Sequence, residues 1–273
     1  MGKLKVIQTG PLATVQDRGR FGFRKYGIPQ SGAMDLEGLQ LANQLVGNDP
    51  DSAAIEYALS GMSLEVLEDS LIGLFGAALK INNERILANA ASVKKDDKIE
   101  LSTPKLRYAY FAIGGKLKAD YQFQSYSTYI PGNFGGLEGR ALKKGDLLVT
   151  GGTGKLQQVK PRPMPGNIIR FIKGPEWGCL AEPFESKEFQ IDPSSNRIGI
   201  RLIGKKLKTH FSEIRSSAVV PGTIQLPPNG QPIVLMNDCQ TTGGYPRIGK
   251  VLDEDLGKLG QVRVGKEIIL LLA

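Results

Sequence analysis

Residues 265–272 read Gly-Lys-Glu-Ile-Ile-Leu-Leu-Leu, a two-residue polar turn that feeds directly into an apolar strand-like segment. The same device occurs at Asp96-Asp97-Lys98-Ile-Glu-Leu101 and at Gly145-Asp146-Leu147-Leu-Val-Thr150. Turn residues followed by a short apolar run are the signature of a strand, so strands are predicted over Lys98–Leu101, Leu147–Thr150 and Glu267–Leu272. The three units are too short to establish an internal repeat. Around them, 34 glycines and 16 prolines punctuate short apolar segments along the whole chain, a pattern of many strands and turns.

One segment breaks this rhythm. From Met34 to Val46, the residues Leu36, Leu39, Leu41, Ala42 and Leu45 recur at near-helical spacing. A helix is predicted there, with Asp35 as N-cap or first-turn acid and Gly47, Asn48 and Asp49-Pro50 as its stop. A second helix is expected over Asp253–Leu259. The stretch KLQQVKPRPMPGN, 155–167, puts three prolines in five residues, which favours an extended connector over a ladder or a helix. It divides the chain into an N-terminal lobe, 1–158, and a C-terminal lobe, 159–273. Each lobe is expected to be mainly β and barrel-like, with the few short helices packed on surfaces or ends.

Composition narrows the class. With 273 residues, 41% of them hydrophobic, the chain can bury a core of ordinary size. No apolar run reaches the roughly 18–20 residues of a membrane-spanning helix, and residues 1–10 lack the apolar core of a secretory signal, so the expectation is a soluble cytoplasmic protein without membrane contact. Cys179 and Cys239 are too few and too scattered for a disulfide framework, and no spacing suggests a metal site. The single histidine, His210, follows Lys205, Lys206 and Lys208 and reads as a solvated surface residue, which makes a Ser-His-Asp or Cys-His engine a poor fit. The net charge of +8 is diffuse: residues 1–60 balance six basic against six acidic side chains, and the excess is shared by the rest of the chain. Nucleic-acid binding is not expected from such a distribution.

Two polar clusters could carry chemistry. The first, Thr14-Val-Gln16-Asp17-Arg18-Gly19-Arg20, is followed by Gly27-Ile-Pro29 and Ser31-Gly32-Ala-Met-Asp35. Gln16 can donate and accept, Asp17 can take a proton or orient a guanidinium, and Arg18 and Arg20 can hold a carboxylate or phosphate. A solvated turn with an Asp–Arg pair fits this composition equally well. In the second, Gly222-Thr-Ile-Gln225 leads to the apolar strand Ile233–Met236, which delivers Asn237-Asp238-Cys239-Gln240-Thr241-Thr242-Gly243-Gly244-Tyr245. Its amides and hydroxyls suit a planar amide or ureido ligand, and the paired glycines could present backbone N–H groups to negative charge, although a small polar hairpin turn has the same composition. Arg197 and Arg201 lie four apart and share a face if their segment is a strand, where they could meet one anion or simply face solvent. Asn133, in Pro131–Arg140, sits on a loop that could cover a ligand or be merely flexible. Gly151-Gly-Thr-Gly-Lys155 is not a phosphate loop, because Val149 and Leu156 occupy the positions of its first glycine and its Ser or Thr.

In order along the chain, TVQDRGRFGFRKYGIPQSGAMD (14–35), NQLVGN (43–48), NFGGLEGRALKKGD (133–146), NRIGIRLIG (196–204) and PGTIQLPPNGQPIVLMNDCQTTGGYP (221–246) resemble the allophanate hydrolase subunit 2 family, also called the biotin-dependent carboxyltransferase or KipA-like family. The resemblance runs nearly end to end and implies two cyclophilin-like β-barrel lobes. It implies membership of an assembly: an ATP-dependent 5-oxoprolinase, with Mg and with B-type (KipI-like) and A-type subunits, that opens a lactam to glutamate. Two alternatives are a carboxyltransferase moving a carboxyl group from carboxybiotin to urea or another small amide, and a regulator that binds a B-type partner. No Ala-Met-Lys-Met biotin-attachment sequence is present, so biotin would ride on a separate carrier. Under the resemblance, Asp17, Asp238 and Arg20 are candidates for catalysis. Candidates for substrate binding are Gln16, Asn133, Arg197, Arg201, Gln225, Gln240, Thr241, Thr242, Gly243, Gly244 and Tyr245. The chain is short for the family, and Arg24-Lys25-Tyr26 is more basic than the family leads one to expect, which leaves room for an altered ligand.

Overall fold

The computed structural model describes residues 2–160, 162–163, 165–211 and 213–273, so Pro161 and Met164 of the predicted connector lie outside the described residues. The chain is mainly β and forms two compact units, one of Met1–Arg20 with Ser31–Pro163 and one of Phe21–Gln30 with Met164–Ala273. The strands predicted from their polar turns are present as Lys98–Leu101, Leu147–Gly151 and Glu267–Leu272.

The first unit contains a seven-stranded and a five-stranded sheet. In the larger, Gly2–Gln8 lies between Leu147–Gly151 and Met62–Glu68, antiparallel to both. In the smaller, Tyr108–Ile113 lies between Ala54–Ala58 and Ser70–Phe75. Every residue of Tyr108–Ile113 is buried, which explains its continuous apolar character: a strand covered on both faces does not alternate. Ala109, Phe111 and Ile113 enter the main core with Leu4, Val6 and Ile55, while helix α1, Leu36–Leu45, packs against this strand and Ser70–Phe75.

Helix α1 starts two residues later than the apolar spacing suggests. Asp35 is extended (φ −132°) and caps the helix, its carboxylate accepting from Gly38 N at 3.2 Å, so Met34 lies before the cap although it is buried. A Cβ at Gly38 would sit 2.9 Å from the Phe75 ring, which is why glycine is tolerated inside this helix. Asp35 is 1% exposed and accepts from Arg162 at 2.6 Å, with Glu37 taking the same guanidinium's Nε at 2.9 Å. The connector thereby ties the start of α1 within the first unit.

The second unit is built on a closed seven-stranded barrel. Its strands run in the order Ile168–Lys173, Arg247–Val251, Thr223–Gln225, Ile233–Leu235, Gly199–Ile203, Ser186–Ile191 and Glu267–Leu272, and a parallel pairing of the last with the first closes it. In Glu267–Leu272 the alternation is clear, since Ile268 and Leu270 are fully buried while Glu267 and Leu271 face out. Helix α2, Asp253–Gln261, extends the predicted 253–259 by two residues.

Asp255 ties α2 to the barrel. Its carboxylate, 1% exposed, accepts from Arg170 N at 2.9 Å, Arg170 Nε at 2.7 Å and Lys258 Nζ at 2.6 Å. The Arg170 hydrogen bond, joined by Lys258, holds this carboxyl well below the ordinary carboxylate range despite its burial. The stabilisation is fully present above the unfolded-state value of about 3.9 and is lost as pH falls through the lower folded-state value. Urea unfolding of the wild-type chain is therefore expected to weaken between pH 5 and pH 2 by more than that of Asp255→Asn. The variant should itself cost about 1–3 kcal/mol at pH 7.

Candidate functional site

Asp17 follows directly on the strand Leu12–Gln16, and its carboxylate organises the first polar cluster. One oxygen accepts from Gly19 N at 2.8 Å, Ser125 Oγ at 2.6 Å and Ser127 Oγ at 2.5 Å, and the other accepts from Tyr126 N at 2.6 Å. With four donors on a residue 5% exposed, Asp17 clamps the 125–127 segment to the end of the strand. Ala33 N donates to Asp17 O at 2.9 Å, and a Cβ at Gly32 (φ +91°) would lie 2.9 Å from the backbone of Arg18 and Gly19. Gly32 is thus required by close approach as well as by its left-handed backbone.

Gln16 and Arg20 join Asp17 on the same segment. Gln16 is fully buried and donates to Thr14 Oγ1 at 3.0 Å and Thr128 O at 3.2 Å. Arg20 is 1% exposed, donates to the Ser127 carbonyl and places its guanidinium carbon 4.7 Å from the centre of the Phe134 ring. Both are enclosed by protein in this unit. Asn133 stands apart from them, exposed at the left-handed end (φ 53°) of the turn Ile130–Gly132. The surrounding loop is pinned, with Arg140 donating two N–H groups to Asp146 at 2.7 and 3.0 Å. Asp17, Arg18, Asp51, Lys116, Tyr121 and Tyr126 line a cleft of about 550 Å³ in the same unit.

The second cluster lies in the second unit. Arg197 Nε and Nη2 donate to the Asp238 carboxylate at 2.7 and 3.1 Å, and Asp238 N donates back to Arg197 O at 2.9 Å. Arg201 does not join them. The strand begins at Gly199, so Arg197 precedes it and the same-face spacing of the two arginines does not apply; the Arg201 side chain is exposed. Gln225, 2% exposed, accepts from Gln240 Nε2 at 3.4 Å. Thr242–Gly243 pairs with Ser217–Ala218 in a two-residue ribbon, extended by Val219 N to Thr241 O at 3.0 Å and by Ile214 N to Gly244 O at 2.9 Å. Tyr245 is 39% exposed.

Sequence reasoning missed several participants. Ser125 and Ser127 hold Asp17 yet carry no local motif. Arg24 belongs to the second unit, where its Nη2 donates to Val219 O at 2.5 Å and Gln240 O at 2.8 Å; its only sequence signal is the basic Arg24-Lys25 pair. The cysteines are free and buried, and burial raises both thiols above their usual range, which keeps them protonated and unreactive at neutral pH. His210 is exposed.

A family model of the carboxyltransferase domain, subdomains A and B, matches residues 26–270. The chain belongs to that family. Among the relatives of this carboxyltransferase-domain chain is the C-type 5-oxoprolinase subunit of Escherichia coli (strain K12), 39% identical over 97% of the chain and 89% of that protein. Urea amidolyase of Saccharomyces cerevisiae is 30% identical over 97% of the chain, which spans only 16% of the yeast protein. The crystal structure of the Kluyveromyces lactis urea amidolyase superposes with a TM-score of 0.87 at 28% identity, covering 99% of the chain and 18% of the larger one. Within the carboxyltransferase-domain family, then, the same fold serves both as a protein of about this length and as one part of a much longer enzyme.

Proposed function

We propose that the chain is a subunit of an ATP-dependent 5-oxoprolinase, in which it recognises the lactam of 5-oxoproline for opening to glutamate beside B-type (KipI-like) and A-type subunits. The observation that carries this reading is the match to the E. coli protein across 97% of this chain and 89% of that one. The residues are suited to the role. The Gln225 and Gln240 amides offer a C=O and N–H groups to a planar lactam, Asp238 positions water while Arg197 supports its charge, and Arg201 remains an exposed cation for anion support. Asp17 and Arg20 act as positioning residues, because their polar groups hold Gly19, Tyr126 and the Ser125–Ser127 segment.

ATP with Mg would supply the phosphoryl group that activates the lactam oxygen. Gly151–Gly154 leaves its strand into irregular chain rather than opening a helix, and among the described residues no three His, Cys, Asp or Glu side chains converge as metal ligands. The fit to a nucleotide cradle is poor, and we assign the nucleotide to the partner subunits. Glutamate release from 5-oxoproline is expected from the complete set of subunits and not from this chain alone. In that set, Asp238→Asn should lower kcat by about 100-fold. A complete assembly that binds neither ATP nor 5-oxoproline and releases no glutamate would be incompatible with the proposal.

A second reading is favoured by the carboxyltransferase description of the family and the TM-score of 0.87 to urea amidolyase. Here the chain moves a carboxyl group from carboxybiotin on a separate carrier to urea or a similar amide. Carboxybiotin-dependent turnover of urea by the purified chain would establish it.

A further inference from the structure

Hydrogen-bond donors without acceptors gather in the second unit around the ribbon Ser217–Ala218/Thr242–Gly243. Gln225 Nε2, Arg24 Nη1 and Ser217 Oγ are all shielded from solvent, and none has a hydrogen-bond partner among the described residues. The backbone makes them neighbours. Ser217 lies opposite Gly243 in the ribbon, and a Cβ at Gly243 would fall 2.4 Å from Gln225 Nε2. Gln240 links the remaining two, donating to Gln225 Oε1 at 3.4 Å while its carbonyl accepts from Arg24 Nη2 at 2.8 Å.

Such donors are costly to bury unless they find acceptors. A shielded donor that loses water and gains nothing is destabilising, and more so on a guanidinium for which no carboxylate partner exists among the described residues. A ligand that accepts hydrogen bonds and carries negative charge would satisfy all three donors and complement the guanidinium. A carboxylate does both: it is planar, has two oxygens with about four lone-pair sites, and matches a guanidinium edge, an amide N–H and a hydroxyl together. Glycine at 243 fits the same purpose, since any side chain there would occupy the Gln225 amide. The ribbon is held by two residue pairs and the flanking bonds of Val219 and Ile214, so it can part at small cost to admit a ligand.

We propose that Arg24, Gln225 and Ser217 form a carboxylate subsite against the Ser217–Ala218/Thr242–Gly243 ribbon. It takes either the carboxylate of 5-oxoproline or bicarbonate, and rests on the lactam reading only for the first. The test is calorimetric titration of the full-length chain with 5-oxoproline, with its carboxamide analogue and with bicarbonate, for the wild type and for Arg24→Gln, Gln225→Met and Ser217→Ala. The carboxylate ligand is expected to bind at least about tenfold more weakly to Arg24→Gln and Gln225→Met and severalfold more weakly to Ser217→Ala, whereas the carboxamide, which keeps the lactam that Gln225 also faces, is weakened by Gln225→Met alone and is insensitive to the other two. The ligand-free melting temperature of Gln225→Met should fall little, because the amide N–H it removes has no partner and its Oε1 accepts only the long 3.4 Å bond from Gln240. Bicarbonate binding that the variants abolish, without 5-oxoproline binding, would support the subsite and count against the lactam reading. No carboxylate binding to the wild type, or equal affinity in all three variants, would overturn the subsite, and glutamate release by the assembled enzyme would then still stand for the function. Ser217→Ala removes one hydroxyl from a partly exposed residue, so the test survives if either of the other variants fails to fold.

Discussion

Asp17→Ala is expected to destabilise the first unit by about 3–5 kcal/mol, the summed cost of leaving several buried donors without an acceptor. The reason is the number of donors left behind: Gly19 N, Tyr126 N and the Ser125 and Ser127 hydroxyls all lose their acceptor at once in a site that water barely reaches. Asp17→Asn keeps the shape but offers one full acceptor oxygen in place of two, and should fall between Asp17→Ala and the wild type. Urea midpoints measured with an unchanged m-value check this directly. The same pair separates clamping from proton transfer. A clamp predicts that Asp17→Asn loses activity in step with stability, and a shift in the pH profile of kcat at full stability would instead make Asp17 a proton-transfer group.

The second large effect is expected at Arg197. Arg197→Ala leaves Asp238, only 7% exposed, as a carboxylate without its guanidinium partner, and should cost about 3–5 kcal/mol in the second unit. The double substitution Arg197→Met with Asp238→Leu removes both charges and replaces them with apolar volume, so most of the lost stability should return. If Arg197→Ala is as stable as the wild type, the pair is not the anchor of the 236–239 turn that its geometry indicates. Recovery in the double variant without recovery of activity would show that Asp238 is needed for chemistry as well as for structure.

Local chemistry was legible where its cause is local. Strands at Lys98–Leu101 and Glu267–Leu272 could be bounded from their preceding turns, because turn residues and the following apolar run lie within a few positions of one another. The Asp35 cap of α1 was legible for the same reason, since an N-cap acts on a backbone amide three residues on. The reading of Arg197 and Arg201 as one face failed because strand alternation starts only where the strand does, and the start is set by pairing with Ile233–Leu235 rather than by the arginines themselves. For the candidate site, residue types pointed to Gln16, Asp17, Gln225, Asp238 and Gln240, but not to what each of them binds.

Neighbouring residues alone thus specify the mainly β class, the helix after Asp35 and the order of motifs that mark the carboxyltransferase family. The first two depend on periodicity, turn chemistry or composition, which are written within a few positions of the chain, and the third on the resemblance of those motifs to the family's own. Partners emerge only from the folded molecule. Asp17 meets Ser125 and Ser127 more than a hundred positions away, and Arg24 meets Val219 and Gln240 across 195 and 216 positions. Residues 21–30 join the second unit although they are flanked in sequence by the first. Such contacts follow from strand order and register over long separations, and the same local pattern is compatible with many of them.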